Sequence, residues 1–200
     1  RIISKFTDNL KLEVGKEVEV DEMEYHRRKN PRKRQGVDRN WFIDSIDTTT
    51  KFMVASAYEK SREKENLKRI LKNIKNKTED RIKIITTDGL TAYTNIVKKT
   101  FGYNNKEGKY TIKHNVVNAS QGEGFNHPIE RLHNSIRHRT KTFRGFHGSI
   151  DSAKAIMKGI EIYYNFITKH QAINCCPYEL ATDLKLNSVN KWLGLIKLAI

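Results

Sequence analysis

Three acidic residues have the type and placement for phosphodiester chemistry. Asp21 ends the alternating segment LEVGKEVEVD, Asp88 ends RIKIITTD, and Glu130 stands in HPIERLHNSIR. In open α/β sheets, sites collect beyond the C-terminal ends of parallel strands, where the pattern puts both aspartates. Helix arithmetic places Glu130. Ile129, Leu132 and Ile136 take the core side, while Glu130, His133, Asn134 and Arg137 recur at i, i+3, i+4 and i+7 on an adjoining stripe able to face the aspartates. Converging carboxylates repel one another and stay ionised when divalent cations neutralise them; hard oxygen ligands select Mg2+ or Mn2+. Two such ions roughly 4 Å apart activate an attacking oxygen and stabilise the leaving one in an in-line displacement at phosphorus.

Each of these residues also has a plainer reading. An isolated acid at a strand end is usually a turn or capping residue. Asp44 and Asp47 also lie near a strand and compete with Asp21 for the first ligand position, while Glu17, Glu19 and Glu24 read as solvated. His133 and Arg137 share the Glu130 face and read either as plain exposed helix residues or as phosphate contacts, Arg137 being the stronger candidate. The basic run Arg27, Arg28, Lys29, Arg32, Lys33 and Arg34 reads either as a solvated or localisation-like tract or, beside Asp21, as a grip on DNA backbone that adds non-specific affinity.

The elements that must position these side chains follow from periodicity. Leu12, Val14, Val18 and Val20 share one parity, as in a half-buried strand ending at Asp21. Residues 26 to 40, with Asn30-Pro31 and Gly36 as turn signals, read as a long basic hairpin connection. WFIDSID (41 to 47) and KFMVASAYE (51 to 59), separated by Thr48 to Thr50, complete an antiparallel meander. A helix follows, capped by Ser61, with Leu67, Ile70, Leu71 and Ile74 on one apolar stripe. RIKIITTD (81 to 88) is a buried strand entering a helix through Tyr93, Ile96 and Val97, which implies parallel pairing with the first strand. Residues 102 to 109 read as an inserted loop, YTIKHNVVN (110 to 118) as the fifth strand, and NASQGEGFNHP as a mobile connection. Helices are expected over 126 to 141 and 149 to 169, the second with Ala153, Ile156, Met157, Ile160, Tyr163, Tyr164 and Ile167 on one face. The fold class is therefore α/β: a mixed five-stranded sheet, three antiparallel strands then parallel ones, flanked by helices.

Composition narrows the function. Thirty-eight Lys and Arg against 23 Asp and Glu give a net charge of +15, which favours a polyanionic partner. No run approaches the ~20 apolar residues that span a bilayer and the N-terminus lacks a signal-peptide core, so no membrane partner is expected and the location reads as cytoplasmic, with the nucleoid. The only cysteines, Cys175 and Cys176, are adjacent and fit neither a disulfide framework nor a zinc cluster. The domain division reads as 1–11 N-terminal remnant or linker, 12–183 catalytic domain and 184–200 C-terminal helical extension, whose KWLGLIKLAI covers the core or pairs with another subunit.

The strings VDEMEY, ITTDGLTAY and HPIERLHNSIRHRTKTFRGF resemble the DDE motifs of insertion-sequence transposases, especially the insertion-sequence-six group, within the retroviral integrase and RNase H-like superfamily. In that family the first Asp is followed by Glu-Thr, the second stands in a Thr-Asp string ahead of Ala-Tyr, and the Glu follows Ile with a basic residue seven positions later. Here these are Asp21, Asp88, Glu130 and Arg137. The resemblance implies an RNase H-like fold, metal-dependent hydrolysis that exposes 3′-hydroxyls at transposon ends, and transfer of those ends into target DNA, with Asp21, Asp88 and Glu130 holding two Mg2+ or Mn2+ ions. It also implies a homodimer that holds two ends. The chain departs from the pattern in Met23 for the usual Thr, in the longer basic connection at 26 to 40, and in a longer separation of Asp88 from Glu130. The family normally carries a helix-turn-helix ahead of this domain, so a fragment, or end recognition elsewhere, is expected. The rival expectations are an RNase H-like nuclease without joining activity, and a catalytically inactive, domesticated DNA-binding protein.

Overall fold

Parity along the first strand decides which side of the sheet each acid faces. The computed structural model describes residues 2–28, 37–79, 81–117, 127–141 and 146–200. In chain order the elements are α1 (Ile2–Asp8), β1 (Glu17–Glu24), β2 (Arg27–Arg28), β3 (Val37–Asp38), β4 (Trp41–Asp47), β5 (Met53–Glu59), α2 (Lys64–Thr78), β6 (Ile84–Thr87) and α3 (Thr91–Phe101). There follow β7 (Tyr103–Asn104), β8 (Lys109–Tyr110), β9 (Lys113–Val116), α4 (His127–Thr140), β10 (Phe146–His147), α5 (Ile150–Ile162), a π-helical turn (Tyr163–Ile167), α6 (Tyr178–Ala181) and α7 (Lys191–Ala199).

The main sheet has the order β5-β4-β1-β6-β9. β1 and β5 each pair antiparallel with β4, whereas β1 with β6 and β6 with β9 are parallel. This is the RNase H-like arrangement that the motif strings imply. Successive strand residues point to opposite faces. Val18 and Val20 accordingly enter one core with Leu67, Ile70, Leu71 and Ile74 of α2 and Tyr93, Ile96 and Val97 of α3. Met23, of the other parity, enters a second core with Phe42, Ile46, Ile129, Leu132, Ile136 and Met157. Asp21 thus faces the α4 and α5 layer, and Glu22 starts from the α2 and α3 side. Each fully buried Leu or Ile contributes about 1.5–3 kcal/mol relative to exposure.

Several boundaries differ from the sequence reading, each for a local reason. β1 starts at Glu17, so Leu12 is buried in the approach to the strand and Asp21 lies inside it. Glu63, with no side-chain cap bond, precedes α2; Ser61 instead offers its carbonyl to Asn66 at 2.9 Å. Ile156 is 41% exposed, because α5 turns Ala153, Met157 and Glu161 inward. The chain beyond α5 leaves the α-helical path in the π-helical turn, where the Asn165 amide accepts from Met53 N at 2.8 Å and donates to Met53 O at 2.9 Å, capping the free edge of β5. The inserted loop over residues 102 to 109 takes the form of a small hairpin, with β7 paired antiparallel to β8. Segment 1–11 contains α1, which packs against α7 and α5. Among the described residues no helix is long and apolar enough to cross a membrane. Cys175 and Cys176 are free thiols, Cys176 buried.

Candidate active site

The parallel ladder between β1 and β6 ends at the pair Val20 and Thr87, so Asp21 and Asp88 are the next residues on two neighbouring chains. Asp88 Oδ1 accepts from Leu90 N at 3.0 Å, a local turn that opens α3. Glu22 joins them: Asp21, Glu22 and Asp88 each offer a carboxylate oxygen within 4.8 Å of the others. Glu22 N donates to Asp21 Oδ1 at 2.7 Å, and the Tyr93 hydroxyl donates to Glu22 Oε1. Arg62 stands 3.8 Å from Glu22 Oε2, with its guanidinium over the Trp41 ring.

Burial and crowding make Asp21 and Glu22 reluctant to ionise. Burial pushes Asp21 up to about 6, against the pull of His133 and the Glu22 N–H, and Asp44 and Asp88 add repulsion. Burial likewise raises Glu22 to about 7, with Asp88 and Asp21 adding to it and Tyr93 and Arg62 opposing. An all-oxygen set of this kind fits Mg2+ or Mn2+, and a bound cation inverts the local logic by favouring the ionised carboxylates.

Behind Asp21 stands His133, 4% exposed. Its Nε2 lies 2.7 Å from Asp44 Oδ1 and its Nδ1 3.7 Å from Asp21 Oδ2. Asp44 is the cross-strand partner of Asp21 and is fully buried. Burial disfavours the protonated ring, but Asp44 and Asp21 outweigh it, so the His133 pKa stands above its ordinary value.

The other residues singled out in the sequence fall as follows. Glu130 lies in the first turn of α4, where the helix dipole favours a carboxylate. It is exposed, one turn before His133, and lies outside the Asp21, Glu22 and Asp88 group, its nearest described electrostatic effect being on Glu19. Arg137 is exposed one turn beyond His133. His133 itself is inside the protein between two carboxylates and not on the surface where a phosphate lies. Arg27 is buried, paired with Asp38 and donating to Gly148 O at 2.7 Å, so it ties β2 to its neighbours and is not a free DNA contact. Arg28 is described by its backbone in β2 alone, and Lys29, Arg32, Lys33 and Arg34 lie outside the described residues. Asp47 is a turn residue accepting from Thr50 N at 2.7 Å and Gly15 N at 3.0 Å. Glu19, read as solvated, is buried and accepts from Ile129 N at 3.0 Å, with burial raising it to about 7.

Glu22 escaped the sequence reading because its parity groups it with Val18 and Val20. The available signal was its place beside Asp21, together with a tyrosine five residues after Asp88.

Residues 39–171 match the family described as the DDE domain of the IS240 transposase type, a span that includes Asp44, Asp88, Glu130, His133 and Arg137 but not Asp21 or Glu22. No curated protein matches the sequence. Among solved structures, the "Drosophila P element transposase strand transfer complex" is similar at 12% identity and a TM-score of 0.33, covering 58% of this chain and 29% of that one. The chain thus spans less than a third of that protein's length.

Proposed function

Because the chain belongs to the DDE domain family of IS240-type transposases, we propose that it is a transposase catalytic domain that hydrolyses phosphodiester bonds at transposon ends and joins those ends to target DNA. One observation carries the reading: Asp21 and Asp88, far apart in sequence, meet just beyond the end of the parallel ladder between β1 and β6, with a third carboxylate beside them. Asp21 and Asp88 would hold the cations, Mg2+ or Mn2+, with Glu22 a further carboxylate within reach of the aspartates; Glu130, outside that group, is the remaining ligand on the strength of its motif string. Four carboxylates supply enough charge for two ions. When bound, such ions activate the attacking oxygen and stabilise the leaving one.

The chain's own residues do the rest. Tyr93 holds Glu22 from α3, and the Glu22 N–H holds one Asp21 oxygen. Arg137, exposed on the Glu130 side of α4, contacts DNA phosphate. The net charge of +15 supports a DNA partner, since cationic side chains that neutralise phosphates release counterions. Holding two transposon ends calls for two copies of the chain, which a size measurement on end DNA tests.

The decisive assay supplies a pre-cut transposon end with a free 3′-hydroxyl, target DNA and Mg2+. Joined products support the transposase reading. Cleaved but unjoined DNA identifies a nuclease, and DNA binding without metal-dependent chemistry identifies a protein that has kept only binding.

A further inference from the structure

We propose that Asp44 and His133 form the support that orients Asp21 for cation binding, Asp44 fixing the imidazole and the imidazole fixing the carboxylate. The inference rests on Asp21 being a cation ligand, as proposed above. It deepens that reading by assigning roles to two residues whose side chains touch no substrate.

The geometry is specific. Asp44 and Asp21 sit directly opposite each other on β4 and β1, and their shared parity turns both toward α4. From α4, His133 enters between them, with Nε2 at 2.7 Å from Asp44 Oδ1 and Nδ1 at 3.7 Å from Asp21 Oδ2. The close contact is to the fully buried Asp44 and the longer one to the partly exposed Asp21. Asp44 therefore anchors the ring, and the ring presents its second nitrogen to Asp21. On the far side of the Asp21 carboxylate, Oδ1 accepts from Glu22 N at 2.7 Å. Both oxygens are thus addressed from fixed positions, which sets the direction in which the carboxylate opens toward Asp88.

A purely structural role accounts poorly for Asp44. The side chain is fully buried, and its Oδ2 has no hydrogen-bond partner among the described residues. Burying a carboxylate in this way is expensive, and apolar residues of similar volume commonly stabilise such a site. Its neighbours on the same face of β4, Phe42 and Ile46, are apolar core residues. An acid retained between them is explained by what it does to His133. Outer partners of ligating groups act in this way, fixing ligand orientation, and their loss typically weakens cation affinity roughly 10–100-fold.

The test measures Mn2+ binding to the full chain, without DNA, by electron paramagnetic resonance, for the wild type, Asp44→Asn and His133→Gln. Asp44→Asn keeps an acceptor of the same shape and removes the charge; His133→Gln removes the ring. Both variants are expected to need roughly 10–100-fold more Mn2+ for half-saturation, to bind end DNA as the wild type does, and to recover joining when Mn2+ is raised. A merely structural role would change melting and DNA binding together and leave the Mn2+ midpoint of the folded fraction in place. Wild-type Mn2+ midpoints in both variants overturn the proposal while leaving the metal site standing. Failure of the wild type to bind Mn2+ overturns the metal site itself, and this proposal with it. Should either variant fold poorly, the wild type labelled with nitrogen-15 histidine decides: Mg2+ shifts the His133 ring signals if the ring braces Asp21, and unmoved signals in a protein that binds Mg2+ contradict it.

Discussion

Tyr93 in the first turn of α3 donates a hydrogen bond to Glu22 on β1, and so joins the string around Asp21 to the string around Asp88. Both side chains are shielded, Tyr93 fully and the Glu22 side chain at 1% exposure. The contact explains why an acid follows Asp21 directly and why a tyrosine sits five residues after Asp88: one turn of helix brings the hydroxyl back over the strand.

Tyr93→Phe keeps the ring and removes the donor. Hydrogen bonds to charged groups contribute about 1.5–3 kcal/mol, so urea unfolding above pH 7, where Glu22 is ionised, should show a loss of that order. An unchanged midpoint would mean that the contact contributes nothing.

Glu130 and Glu22 separate chemistry from packing. Glu130 is exposed, so Glu130→Gln should leave stability within about 0.5 kcal/mol while abolishing joined products. Glu22→Gln removes a buried acid that the fold disfavours in its charged form, and should stabilise the cation-free protein above pH 7. Wild-type joining by Glu130→Gln would transfer the third-ligand role to Glu22.

The raised acids set a pH dependence in the absence of divalent cations. Asp21 rises from 3.8 to about 6, and Glu19 and Glu22 each from 4.5 to about 7. The folded protein therefore holds these protons more tightly than the unfolded chain. The resulting stability is complete below the unfolded values and is lost as pH rises through the folded ones. Melting temperatures in EDTA should fall between pH 5 and pH 8, and Mg2+ should flatten the decline. A cation-free melting temperature that climbs over this range would contradict the burial of these acids.

Arg137 is exposed and projects from the helix that carries Glu130. If it contacts phosphate, Arg137→Ala weakens binding to all sequences alike and lowers the slope of log affinity against log salt by about 1. An unaltered slope would remove it from the interface.

Much of the frame was legible because its signals are local. Leu67, Ile70, Leu71 and Ile74 recur at helical spacing and are all buried, and the alternation of Val18 and Val20 gave the faces of β1 correctly, though the strand starts at Glu17 and runs past Asp21 to Glu24. The convergence of Asp21 and Asp88 followed from strand order. What the sequence hid depends on packing between distant elements. The burial of Glu19 and His133 is set by α4 lying on β1, and periodicity reports which stripe a residue occupies but not how closely the stripe approaches the sheet. Arg27 looked like a DNA contact because charge alone does not reveal that Asp38 and the Gly148 carbonyl occupy it.

The central claim is that Asp21 and Asp88 hold the cations that carry out the chemistry. Joining of a pre-cut transposon end to target DNA, measured in Mg2+ with Asp88→Asn beside the wild type, tests it most directly. The account predicts joined products from the wild type and none from the variant, with end binding retained; undiminished joining by Asp88→Asn would contradict it.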